Sequence, residues 1–169
     1  MRKRSKYRPK PVYINALERA IEGATPIGEA HSEYYTDMLL KNHGAMLALT
    51  QGTATKREMD YLIAMANIME AFRLLDICKP LSDEIAAARR AIIDICVRAV
   101  KHLKFVATGP EIKALNMLME LHDDLMPHIT GVQLDRGIAL AKKIIHRGDA
   151  TILNFSDKIP STQQEAVTA

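Results

Sequence analysis

One stretch, Thr55 to Cys78 (TKREMDYLIAMANIMEAFRLLDIC), limits what this chain can become more than any other. It opens with Thr55 and carries Glu58 three residues on, the spacing at which the two side chains satisfy each other's end of a helix as a capping box. Met59, Leu62, Ile63, Ala66 and Met69 then recur at the spacing of one helix face. Tyr61, Met65, Ile68, Phe72 and Leu75 cover most of the remaining circumference, leaving a thin polar stripe of Asn67, Glu70, Arg73 and Asp76. A helix that is apolar on so many sides must be covered by other helices, so residues 55–78 are expected to form the central post of an all-α domain.

The rest of the chain supplies the covering helices. Asn15, with Glu18 three residues later, starts a short helix bearing Ile14, Leu17, Ala20 and Ile21, and Gly23 reads as its stop. Thr25-Pro26 offers a second start. A helical pattern with Tyr34, Met38, Leu39, Met46, Leu47 and Leu49 runs from Ala30 to Leu49 and ends at Gln51-Gly52. Gly44 interrupts it at a cost of about 1 kcal/mol relative to Ala, and the polar triplet Asn42-His43-Gly44 marks either a functional pocket or a close helix crossing at Gly44, the crossing being the preferred reading.

Beyond Pro80, Ser82 is the expected cap of a helix over Asp83–Phe105 whose buried stripe is Ile85, Ala88, Ile92, Cys96, Ala99 and Leu103. Thr108-Gly109-Pro110-Glu111 starts another helix, with Ile112, Leu115, Met119, His122, Leu125 and Met126 inward until Pro127 breaks it. Gln133–Arg147 makes the last, with Ile138, Ala141, Ile144 and Ile145 inward and Gly148 as its stop. The sum is an irregular bundle of five or six helices joined by short turns, with no strand alternation, internal repeat or low-complexity segment. The expected organisation is an extended basic arm at 1–13, where Pro9 and Pro11 exclude a helix, a helical domain at 14–148 and a loose tail at 149–169.

A chain of 169 residues is long enough to bury a core without disulfides or metals. Cys78 and Cys96 sit in or at the end of apolar helical patterns and read as buried, reduced thiols, which suits a cytoplasmic protein. The nine methionines read as adaptable core filling. No apolar run approaches the roughly 18 residues that span a bilayer, and the basic N-terminus lacks the apolar segment of a secretory signal.

Charge is distributed unevenly. Six of the 23 lysines and arginines fall in residues 1–10, with no acidic residue among them, which leaves 17 basic against 20 acidic residues in the rest of the chain. The basicity is therefore an arm fixed to a mildly acidic body. Arg2, Lys3, Arg4, Lys6, Arg8 and Lys10 suit a phosphate backbone, where each neutralised phosphate releases counterions, and Tyr7 among them can stack on a base. Arg89, Arg90, Arg98 and Lys101, with His102 and Lys104 beside them, form a second basic cluster on the 83–105 helix. Alone it is an ordinary solvated face; next to the arm it would extend one phosphate-binding surface. A helix-turn-helix around Gln51-Gly52-Thr53 would present Lys56, Arg57 and Asp60, but the helix carrying them is better used as core.

Signals for catalysis are sparse. His122-Asp123 resembles the adjacent pair of HD-type metal-dependent phosphohydrolases, whose site also needs another upstream His and a distant Asp. His102 or His43 and Asp135 or Asp149 are the available candidates. At its apolar-stripe spacing, His122 reads first as a hydrogen-bonded core histidine. No glutamate has a histidine three residues later, so the diiron bundle pattern is missing. There is no P-loop or dinucleotide glycine pattern, and no kinase or serine-hydrolase signature. No cofactor is expected.

Two stretches, Lys6-Tyr7-Arg8-Pro9-Lys10-Pro11 and Lys41-Asn42-His43-Gly44-Ala45-Met46 leading into Thr50-Gln51-Gly52-Thr53-Ala54-Thr55, together with Met119-Glu120-Leu121-His122-Asp123, resemble small uncharacterised helical proteins encoded by bacteriophages and prophages of proteobacteria. The likeness covers about the first two thirds of the chain. It implies a bacterial cytoplasmic setting and a role in the phage programme, and it carries no functional residues. The leading expectation is a non-enzymatic accessory protein, free of membranes, that binds nucleic acid through the basic arm. The alternatives are a protein-interaction module that modulates a host protein through a Met-rich helical face, and an HD-like phosphohydrolase. Any of the three is compatible with a homo-oligomer.

Overall fold

A computed structural model of the chain describes residues 20–78 and 81–147, positions 22 and 31 excepted. The expected arm at 1–13 and tail at 149–169 lie outside the described residues. Within them the protein is all-α: a one-turn α1 (Ile27–Ala30), then α2 (Ser32–Thr50), α3 (Lys56–Leu74), α4 (Ser82–His102), α5 (Gly109–Leu125) and α6 (Gly131–Arg147). A 3-10 turn at Met126–His128 follows α5, where Pro127 removes the next helical donor.

The helix α3 is the post around which the others stand. Its start is the expected capping box: the Thr55 N–H donates to Glu58 Oε2 at 2.9 Å, and the Arg57 N–H donates to Thr55 Oγ1 at 3.2 Å. Met59, Leu62, Met69 and Phe72 are fully buried, and α3 packs against all four of the other long helices. Its end comes earlier than the apolar pattern suggests. Asp76 adopts a left-handed conformation (φ 62), the Asp76 N–H donates to Arg73 O, and the Ile77 N–H donates to Phe72 O at 2.9 Å. Those two bonds make a Schellman cap, so Ile77 and Cys78 leave the helix while Cys78 stays buried.

Half of the polar stripe on α3 is buried. Asn67 and Glu70 are only 5% and 3% exposed. Glu70 accepts from Arg73 Nε and Nη2 at 2.8 and 2.9 Å, and Arg89 of α4 reaches the same carboxylate at 3.3 Å. A carboxylate that faces two guanidiniums is tolerated inside because its charge is compensated.

Several boundaries also shift. Gly23 does not stop the first helical turns, since Gly23 and Ala24 remain helical and the Thr25 N–H donates to Ile21 O at 3.0 Å. Leu81, not Ser82, holds the cap position of α4 and makes no side-chain cap bond. That helix ends at His102 because Leu103 is left-handed (φ 53). Leu103, expected inside, is exposed, and Phe105 beyond it is buried instead. The helix α6 begins at Gly131, two residues before the expected Gln133. A further reciprocal cap starts it: the Thr130 N–H donates to Gln133 Oε1 at 2.9 Å and the Gln133 N–H to Thr130 Oγ1 at 3.3 Å.

Two glycines exchange the roles that spacing suggests. Gly44 does not mark a helix crossing: nothing lies within 4 Å of where its Cβ would stand. The crossing is at Gly137, where α6 lies so close to α3 that a Cβ would meet the Phe72 ring at 2.7 Å. No helix among the described residues is long and apolar enough to cross a membrane.

Candidate functional site

A half-open groove of about 620 Å³ lies between α2, α3 and α6, with His122 of α5 also in its lining. Most of the lining is aliphatic, from Met38 on α2, Ile63 and Ile68 on α3, and Leu134, Ile138 and Ile145 on α6. Three polar side chains interrupt it. The inner face of α2 reads Tyr35, Met38, Asn42, Ala45, Met46 and Leu49, the spacing of a packed stripe, and Asn42 is its amide. Asn67 contributes a second amide from α3. His122 contributes an imidazole from α5 that is 1% exposed.

The orientation of His122 is set by its neighbour in sequence. His122 Nδ1 lies 3.1 Å from Asp123 Oδ1, and His43 Nε2 lies 2.8 Å from Asp123 Oδ2. A carboxylate only accepts, so each histidine donates to it. His122 therefore carries its proton on Nδ1 and presents Nε2 as a lone pair. The Tyr35 hydroxyl donates to the Asp123 backbone carbonyl at 3.4 Å, adding a second, longer link between α2 and α5. Burial holds the His122 imidazole below its ordinary pKa despite the pull of Asp123, and the His43 ring adds to the lowering. The ring is a neutral acceptor near pH 7.

The mouth of the groove carries Tyr34, Tyr61, Asp60, Lys142 and the ion pair Lys41–Asp37 at 2.5 Å. Tyr61 is itself held: Arg57 Nε donates to its hydroxyl at 3.0 Å, and the guanidinium sits 5.8 Å from the ring centroid.

The residues singled out for nucleic acid separate into three groups. Arg2, Lys3, Arg4, Lys6, Tyr7, Arg8 and Lys10 lie outside the described residues. Arg89 and Arg98 are structural: Arg89 faces Glu70 across the α3–α4 contact, and Arg98 binds both oxygens of Glu111 at 2.6 and 3.1 Å while also donating to the Val106 carbonyl. The Arg98 side chain is the main cause holding the Glu111 carboxyl below its ordinary range. Arg90 and Lys101 are exposed on α4. As for the helix-turn-helix, α3 is buried along most of its length, with Ala64 and Leu74 the exposed positions beyond its first turn, so it is spent as core.

For the metal reading, His102 and Asp135 are exposed, and Asp149 lies outside the described residues. Among the described residues, no group of three or more His, Cys, Asp or Glu side chains is arranged to hold a metal ion. Burial pushes the Cys78 thiol up to about 11 and the Cys96 thiol up to about 12, so both are protonated and poor nucleophiles at neutral pH. Of the methionines, Met46, Met59, Met65, Met69, Met119 and Met126 are buried, as core filling requires, and Met117 is exposed.

Sequence reasoning placed His122 on an inward face and named His43, with His102, as a candidate to join the His122-Asp123 pair; the structure brings His43 to Asp123, 80 residues away in the chain, without the further ligands of a metal site among the described residues. The polar triplet Asn42-His43-Gly44 was the available signal. Comparison of the chain with protein-family models, with curated proteins and with solved structures found no match.

Proposed function

We propose that the helical body is a non-enzymatic binding module that takes a small ligand in the groove between α2, α3 and α6. The observation that carries this reading is the placement of Asn42, Asn67 and His122, all at least nine-tenths buried, among the aliphatic side chains of a groove whose charged residues stand at its mouth. A size of about 620 Å³ falls in the range of small-molecule sites, which pair apolar walls with a few placed polar groups. Titration of a diverse fragment set against ¹⁵N-labelled protein tests it. Shifts are expected at Asn42, Asn67 and residues of α6, and they should vanish in Ile138→Trp, which fills the groove. A set that moves no groove resonance overturns the reading.

A second reading rests on the charge asymmetry of the sequence: the cations of residues 1–10 give the chain an electrostatic hold on nucleic acid, with the exposed Arg90 and Lys101 as its extension on the body. Deleting residues 2–10 should weaken DNA or RNA binding and flatten its dependence on salt. Binding that survives the deletion unchanged removes the arm from the account. The resemblance to phage- and prophage-encoded proteins suggests the setting for both readings, a bacterial cytoplasm in which this chain acts as an accessory protein.

A further inference from the structure

The polar groups of the groove differ in what they have left to offer. Asn42 is 5% exposed, its side chain makes no hydrogen bond among the described residues, and its amide is open to the groove. Both its donor and its acceptor are unspent and reachable from the groove. His122 has used its one donor: Nδ1–H is committed to Asp123, and the other Asp123 oxygen is committed to His43. Turning the imidazole over would break the bond to Asp123, so what His122 presents is the Nε2 lone pair.

At the buried end of the groove that combination is set against charge. A carboxylate or phosphate there would face the His122 lone pair, since Lys41 and Lys142 stand exposed at the mouth. A cation would find the Asp123 carboxylate turned toward two histidines, Asp37 paired with Lys41 and Asp60 3.8 Å from Lys56. What remains complementary is an uncharged edge with a donor beside an acceptor, on a body apolar enough for walls of Ile63 and Ile138.

Resting on the groove as a ligand site, we infer that its occupant is a small, uncharged ring with a lactam or imide edge, whose N–H is accepted by His122 Nε2 and whose carbonyl accepts the Asn42 amide N–H. The pyrimidine-dione ring of a uracil- or thymine-type base carries that edge.

The test compares two rings on the full chain by ¹⁵N-labelled NMR titration: uracil, and 1,3-dimethyluracil, which keeps both carbonyls and has no N–H. Uracil is expected to shift the Asn42 side-chain amide and the His122 Nε2 resonance, and to bind about tenfold or more tightly than the dimethyl ring, the discrimination expected when a polar site loses its partner. In Asn42→Leu, uracil affinity should fall by a similar factor while the dimethyl ring is little affected. Equal binding of both rings to the unaltered protein overturns the donor–acceptor assignment and leaves the groove as a site. If neither ring shifts groove resonances while other fragments do, the ligand class is wrong. A groove silent to every small molecule removes the site itself and this inference with it.

Discussion

The ring of Phe72 on α3 lies 2.7 Å from the position that a β-carbon on Gly137 of α6 would take. Phe72 is fully buried, so the ring cannot swing out to solvent. Interiors packed this closely resist the addition of even one methyl group.

Gly137→Ala should therefore destabilise the protein by about 1–3 kcal/mol, the usual cost of overpacking, even though alanine is the better helix former. Urea denaturation checks the value. Adding Phe72→Leu should make the alanine less costly than it is in the parent background. A Gly137→Ala protein as stable as the parent would show that α6 can move off α3 freely.

Gly44 is the opposite case. It lies inside α2 with nothing within 4 Å of a prospective β-carbon, so Gly44→Ala gains helix propensity without a clash. A stabilisation of about 1 kcal/mol is expected, read as a higher urea midpoint at unchanged slope. Destabilisation would mean that something outside the described residues covers that face.

Removing the charge of Glu70 takes the shared carboxylate from two guanidiniums, Arg73 and Arg89, at the α3–α4 contact. Glu70→Gln should cost about 3 kcal/mol, the scale seen when one partner of a buried ion pair is lost. Glu70→Leu with Arg89→Met removes the Glu70 charge and its α4 partner together and should recover much of the loss. Equal losses in the single and double replacements would argue that the ion pair contributes nothing beyond side-chain volume.

Acid should weaken the fold through two groups acting in the same direction. The His122 pKa is depressed in the folded state, so below the ordinary imidazole value of about 6.5 the unfolded chain takes up a proton that the folded ring resists. Its contribution to stability is complete above that value and declines as pH falls toward the folded pKa. The lowered carboxyl of Glu111 contributes above the ordinary carboxyl value of about 4.3 and is lost as pH falls toward its own folded pKa. Urea midpoints are expected to be flat near pH 8 and to fall as the pH is lowered past 6. His122→Gln should flatten the upper part of that decline, and an unaltered profile in this variant would locate the proton uptake elsewhere.

The sequence makes some of these features legible and hides others, for identifiable reasons. Local rules were enough for the Thr55–Glu58 cap, the central helix and the inward His122, because each depends on residues three or four apart. The burial of Asn67 and Glu70 was not legible, since the guanidinium that answers Glu70 from α4 is Arg89, and helical spacing says nothing about a partner on another helix. The Thr130–Gln133 cap was missed because the helix was expected to start at Gln133 itself, which left Thr130 outside its first turn. Spacing also assigned a crossing to Gly44, whereas only the packed structure shows that Phe72 needs Gly137. The groove assembles from four helices, so only its individual polar residues were visible beforehand.

The buried Glu70 has one further consequence. A rod that is apolar almost all the way round could turn about its own long axis and still be greasy wherever it met its neighbours. Moving α3 round by one residue, about 100°, would carry the carboxylate, with Arg73 beside it, away from Arg89 and break the ion pair that joins α3 to α4. Glu70 thus acts like the key on a shaft, setting the single angle at which the rod fits its housing, and with it which side chains of α3 face the groove.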